Sequence, residues 1–235
     1  WVAQQAELAL AQLRAIHEEA AAHRGRMQGL LAVGTLPYST GPVVAAAIQD
    51  VTARWPNVQV TVVDGAYESL MAQLRRGEID IVVGALRAEV ESDLQQHRLF
   101  DDPLSILVRA HHPLLRKRRL DLAGVASADW VLPMPGSPAF SVLMRLFGER
   151  QLPVPKGVSI NSPTLVSAIV QRSDRLALMP VRQWQSELDA GLLCKLPLRL
   201  LNAHRTIGYT VRKAFSPTPV LSAFQAALSQ DAQAR

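Results

Sequence analysis

Six histidines and one cysteine are the residues from which a metal site or a strong nucleophile would be built. His17 and His23 stand six positions apart, a spacing that does not set two imidazoles on one helical face for a shared ion. His111 and His112 precede Pro113, and the trio reads as a solvated turn. With Cys194 as the only cysteine, a thiolate zinc site and an internal disulfide are both excluded. Cys194 lies among Leu192, Leu193 and Leu196, an apolar setting that marks it as structural rather than reactive. No Gly-x-Ser-x-Gly elbow, no Ser-x-x-Lys and no Walker loop is present. The glycines at 34 and 41 are wrongly spaced for a dinucleotide fingerprint. We therefore expect no catalytic residue, no metal and no cofactor, and a protein that is not an enzyme.

The chemistry that remains is reversible binding. Five short stretches are rich in Gly, Ser, Thr, Asn and Tyr. They are Thr35-Leu36-Pro37-Tyr38, Gly65-Ala66-Tyr67, Gly84-Ala85-Leu86 with Arg87 beside it, Gly136-Ser137 after Pro133, and Asn161-Ser162 with Thr164. Such residues let a ligand approach the backbone and supply neutral hydrogen bonds. Asp64 and Arg87 are the charged exceptions. Several stretches precede apparent helices, whose free N–H groups favour a carboxylate or hydroxyl.

These stretches need elements to hold them together. Residues 30–34, 58–63 and 79–83 are short apolar or β-branched strands, alternating with helices over 40–54 and 67–76. Val43, Val44, Ala47, Ile48 and Val51 form one helical face, and Leu70, Met71 and Leu74 another, with Gly77 as a stop. A βαβαβ run of this kind implies a parallel sheet with helices on both faces. The candidate stretches then fall at the carboxyl ends of the strands, where open α/β sheets bind ligands. Strands are further expected at 104–108, 130–132, 158–160, 176–179 and 206–212. Helices are expected at 138–150, 163–172 and 217–229, and a basic turn with a short helix at 110–125.

At 235 residues the chain suits two lobes of roughly 100 residues each. Charge divides accordingly: residues 29–102 carry net −5 and residues 103–203 net +7. We expect a helix at 1–28, one lobe from 29–102 with 204–235, and a second from 103–203, joined by two short crossings. Residues 2–23 hold no Gly or Pro, and Val2, Ala9, Ile16 and His23 recur at seven-residue spacing against Ala6, Leu13 and Ala20. Such a helix needs a partner, either the body of the chain or, as we favour, a second copy. No apolar run approaches the ~20 residues of a membrane span, and Trp1 opens into a polar, Ala-rich stretch without secretory character. A cytoplasmic location is expected. Aromatic residues make up only 5%, without basic–aromatic interleaving, so these residues are not expected to read nucleic acid directly.

The order of several landmarks resembles the effector-binding half of LysR-type transcriptional regulators. They are Gly29 to Gly34, Trp55-Pro56-Asn57, Leu74 to Ile81 with Gly77, Glu78 and Asp80, His111-His112-Pro113, and Ser216-Pro217. Gly65-Ala66-Tyr67 and the run from Gly77 to Arg87 are similar to the subgroup named for the galactose-binding-protein regulator. The resemblance implies a two-lobed, type 2 periplasmic-binding-protein-like α/β fold with an N-terminal linker helix that pairs two chains. It implies a small-molecule effector, a sugar or an organic acid, touching Thr35–Tyr38, Gly65–Tyr67, Gly84–Leu86, Gly136–Ser137 and Asn161–Thr164. It also implies a homodimer or homotetramer, and DNA contact through a helix-turn-helix that would precede Trp1. Leu36 and Pro37 stand where some members carry hydroxyl side chains, which disfavours a purely polar or inorganic-anion effector. The rival reading is a solute-binding protein of the same fold.

Overall fold

The computed structural model describes Leu13, Ile16 and residues 28–38, 41–214 and 216–233. The helix expected over 2–23 lies outside the described residues, apart from Leu13 and Ile16, which are helical and exposed. In chain order the elements begin with β1 (Gly29–Thr35), α1 (Gly41–Arg54), β2 (Val58–Asp64), α2 (Tyr67–Arg76) and β3 (Ile81–Ala85). The long strand β4 (Leu94–Arg109) follows, then β5 (Asp129–Leu132), α3 (Pro138–Gly148), β6 (Lys156–Ser159) and α4 (Pro163–Gln171). The chain continues through β7 (Leu176–Pro180), α5 (Gln185–Asp189), β8 (Leu193–Lys195), β9 (His204–Arg212) and α6 (Pro219–Gln233). It divides into two compact units. Unit 1 takes the chain up to Phe100 and from Ile207 onward, and unit 2 takes Asp101–Thr206.

In unit 1 the strand order is β2-β1-β3-β9-β4. β1 runs parallel to β2, with Gly29 opposite Val58 and Thr35 opposite Asp64, and parallel to β3, with Thr35 opposite Val83. β9 returns antiparallel to β3, Val82 facing Thr210. Alternation along each strand feeds two cores. Leu31, Val33, Ile81 and Val83 pack with Val43, Val44, Ala47 and Val51 of α1 and with Val220, Phe224 and Leu228 of α6. On the other face, Ala32 and Val82 pack with Leu70, Met71 and Leu74 of α2. Gly77 ends α2 in the left-handed conformation, φ 76°, its N–H donating to the last carbonyls.

In unit 2 the order is β4-β7-β5-β6, with β8 paired antiparallel to β4. β5 is parallel to both β6 and β7, and β4 antiparallel to β7. Trp130 is fully buried, meets Phe147 of α3 edge-on at 5.8 Å and donates its indole N–H to Val125 O at 3.3 Å. Around it gather Leu104, Ile106, Leu143, Leu146, Leu176 and Leu178. β6 is the edge strand and every residue of it is exposed. Gly157 sits so close to β5 that a Cβ there would lie 1.9 Å from Trp130 O.

Four expectations need correction. β3 starts at Ile81 rather than 79, because Asp80 bridges to β1 through its side chain, with Ala32 N donating to Oδ2 at 2.9 Å. β4 starts at Leu94 rather than 104. Residues 110–125 hold two short 3₁₀ helices, Pro113–Arg116 and Ala123–Val125, where a turn and one short helix are expected. His112 is buried rather than solvated: Nε2 lies 3.1 Å from Asp174 O, and Nδ1 accepts Leu114 N–H at 3.1 Å. His111 and Pro113 on either side of it are exposed.

Candidate functional site

In unit 1 the parallel strands bring their carboxyl ends side by side. Thr35 is buried, and its hydroxyl donates to the Asp64 carboxylate. Gly65 N donates to Thr35 O at 3.3 Å and Leu36 N to Val83 O at 3.0 Å. Gly84 lies directly beneath Leu36, where a Cβ would come within 2.6 Å of the leucine Cβ. Ala85 is buried, and Leu86 is half-buried against Gly208. Thr35, Leu36, Gly65 and Gly84 are thus brought together, and what Gly84 permits is the packing of Leu36.

The outer rim belongs to Pro37, Tyr38, Ala66 and Tyr67. Tyr38 has φ 63°, uncommon for a bulky residue. It is half-buried, and burial pushes its phenol up to about 12. Ala66 stands at the N-cap of α2 and offers no capping side chain, so the first N–H groups of that helix have no side-chain acceptor there. Tyr67 opens the helix, and the Arg87 guanidinium lies 4.4 Å above its ring centroid. Burial raises the Tyr67 phenol, and the charges of Arg87 and Arg75 pull it back. Arg87 Nε is itself buried without a hydrogen-bond partner. A half-buried cation with an idle donor beside an uncapped helix start is a place for an anionic group.

In unit 2 the ends of β5 and β6 are adjacent, Leu132 opposite Ser159. Gly136 is exposed with φ 77°. Ser137 caps α3, its Oγ accepting Phe140 N–H at 3.2 Å. Ser162 caps α4, its Oγ accepting Leu165 N–H at 3.3 Å. Each hydroxyl keeps a proton to donate outward. Asn161, Ser162 and Thr164 are exposed.

Two features escape a reading of residue types. Arg87 was visible only as the charge that ends a neutral stretch. The second is an ion pair over 100 residues apart in sequence. Arg205 Nη2 lies 2.9 Å from Asp102 Oδ2, both side chains are 5% exposed, and Asp102 Oδ1 has no hydrogen-bond partner. Burial pushes the Asp102 carboxyl up and the Arg205 guanidinium down, and each is partly restored by the other's charge. Beside it, Thr206 Oγ1 donates to Asp101 Oδ1 at 3.1 Å. Cys194 lies in β8, half-buried, with a free thiol. Among the described residues no cluster of His, Cys, Asp or Glu is arranged to hold a metal, and no helix is long and apolar enough to cross a membrane.

Residues 24–233 match the family described as LysR substrate binding domain. The chain is 34% identical over 224 residues to the HTH-type transcriptional regulator GalR of Pseudomonas putida, covering 94% of this chain and 56% of GalR. It is 23% identical over 191 residues to the regulator GbpR of Rhizobium radiobacter, covering 81% of this chain and 63% of GbpR. The chain therefore spans less than two thirds of either relative. Among solved structures, the effector-binding domain of QuiR in complex with shikimate aligns with a TM-score of 0.76 at 19% identity, covering 88% of this chain and 99% of that one. The BenM effector-binding domain with benzoate aligns with a TM-score of 0.72 at 19% identity, covering 87% and 92%. The fold is the type 2 periplasmic-binding-protein-like α/β fold shared by these effector-binding domains.

Proposed function

The chain belongs to the LysR substrate-binding domain family, and on that premise we propose that it is the effector-sensing part of a cytoplasmic, DNA-binding transcription regulator that works as a homo-oligomer and is not an enzyme. The effector contacts the unit 1 residues Thr35–Tyr38, Gly65–Tyr67 and Gly84–Leu86, with Arg87 added. The candidate contacts within unit 2 are Gly136, Ser137, Asn161, Ser162 and Thr164. The observation that carries this reading is Arg87, held over Tyr67 at 4.4 Å with a buried, idle Nε beside the uncapped start of α2. That arrangement favours the organic acid over the neutral sugar. Shikimate and benzoate, held by QuiR and BenM, are both carboxylates. The likeness to GalR supports a sensor over a transport-type solute-binding protein. DNA recognition would reside in the part of such regulators that the chain does not span. An effector acts by binding one conformational state better than another.

A thermal-shift screen of sugars, sugar acids, aromatic carboxylates and short organic acids tests the reading. Ligand at ~100 times its dissociation constant adds roughly 2.7 kcal/mol. The expected result is stabilisation by one acid class, with Arg87→Ala weakening that ligand roughly tenfold, about 1.4 kcal/mol. No response to any class, or a response that Arg87→Ala leaves intact, would overturn it.

A further inference from the structure

Unit 1 contains a pocket of about 200 Å³ at the other end of its sheet. It opens where β3 begins and β9 ends, against the first turns of α6. Asp80 marks this end and Ala85 the rim end, five residues apart at ~3.3 Å each, so about 16 Å separates the two. One small molecule cannot occupy both.

The pocket's charge balance is legible from its contacts. Arg212 is held in place, its Nη1 donating to Leu74 O at 2.5 Å and Ile79 O at 2.8 Å. Its charge faces Asp80 at 3.9 Å, and Asp80 in turn accepts from Ala32 N. Those two charges offset each other. Lys213 is then the surplus cation. Its backbone N–H is fixed to Asp93 O at 2.9 Å, while the Asp93 carboxylate is taken by Arg75. Among the described residues, no hydrogen bond or ion pair engages the side chains of Gln95, His97, Lys213 or Gln225. The His97 ring is stacked on Tyr209, with centroids 4.8 Å apart and planes at 17°. Val211, Pro217 and Leu221 give the pocket an apolar side.

We propose that this pocket is a second ligand site, taking a compact organic monocarboxylate. The carboxylate pairs with Lys213, the amides of Gln95 and Gln225 supply hydrogen bonds, and the apolar body rests on Pro217 and Leu221. One surplus cation matches one negative charge. An inorganic dianion would leave the apolar side unused and one charge unmatched. The volume is smaller than the about 300–1,000 Å³ of sites for larger ligands, which limits the body to one ring or a short chain. The site lies wholly in unit 1 and does not depend on the effector reading above.

The test is an amide chemical-shift titration of this domain with benzoate, its neutral isostere benzamide, and sulfate, at neutral pH. Benzoate should shift the backbone amides of Gln95, His97, Lys213 and Gln225 saturably, and benzamide and sulfate should not. Lys213→Gln should weaken those shifts roughly tenfold, while Arg87→Ala leaves them unchanged. Gln225→Leu, a milder change at a half-buried helix position, should weaken them less and serves if Lys213→Gln alters the fold. Shifts absent at millimolar benzoate, confined to the Thr35 and Gly84 rim, equal for benzamide, or insensitive to Lys213→Gln would each overturn the proposal. If the rim alone responds, the effector reading survives and this one does not.

Discussion

β9 carries two arginines that meet aspartates in different surroundings, Arg205 in unit 2 and Arg212 in unit 1. Arg205 and Asp102 are almost fully enclosed, 2.9 Å apart, with one carboxylate oxygen left without a donor. Arg212 stands 3.9 Å from Asp80 and spends its Nη1 on two backbone carbonyls, one near the end of α2 and one in the turn before β3. Burial lowers both guanidinium groups from their usual range, and in both the partner aspartate pulls back. The first arginine is valuable because it offsets a buried carboxylate that otherwise feels only the charge of Arg182. The second is valuable because it ties down a chain reversal while closing one wall of a pocket. The same residue type on the same strand thus does two physically different jobs, and substitution should separate them.

The largest effect should come from the enclosed pair. Arg205→Met strands the Asp102 carboxylate in the interior and should cost about 3–5 kcal/mol in denaturant unfolding. Adding Asp102→Leu removes the stranded charge, and the double variant should regain most of that loss. If the double variant is no better than the single, the pair is held by more than its mutual attraction. Arg212→Leu should cost less, about 1–3 kcal/mol, since it unpairs two carbonyls at the margin of unit 1 rather than a buried charge. A loss equal to that of Arg205→Met would erase the distinction. The smallest effect belongs to Tyr38, at the rim of unit 1. Its phenol, raised to about 12, should ionise later than an ordinary tyrosine near 10.0. Because the native state keeps this proton while the unfolded state loses it, the associated stability is complete below pH ~10 and declines as pH rises towards ~12. The difference in ultraviolet titration between the wild-type chain and Tyr38→Phe reports the midpoint.

The enclosed pair also shows where sequence reading stops. The helical faces of α1 and α2 and the β-branched run of β2 were legible because burial imposes a period on residue type. The first part of β4 was not, since Gln95, Gln96, His97 and Arg98 on an edge strand need not be apolar. His111 and His112 are the same residue type side by side, and only the fold decides that one is buried on Asp174 O. Asp102 and Arg205 meet across 103 positions, a separation over which no local pattern carries information. At the candidate site, the strand ends could be read from composition, but the duties of their residues could not. Ser137 and Ser162 cap helices, Gly84 makes room for Leu36, and Arg87 gains meaning only from its place over Tyr67.

The close approach of Gly157 to β5 bears on the protein's history rather than its chemistry. A methyl group at that position would need to occupy the space of the Trp130 carbonyl. β6 could accept it only by shifting away from its neighbour, although the strand's own side chains are all exposed. Lineages descending from this chain are therefore free to vary the surface of β6 and bound to keep glycine at its second residue. An exposed edge that looks permissive to drift carries one position at which inheritance has almost no choice.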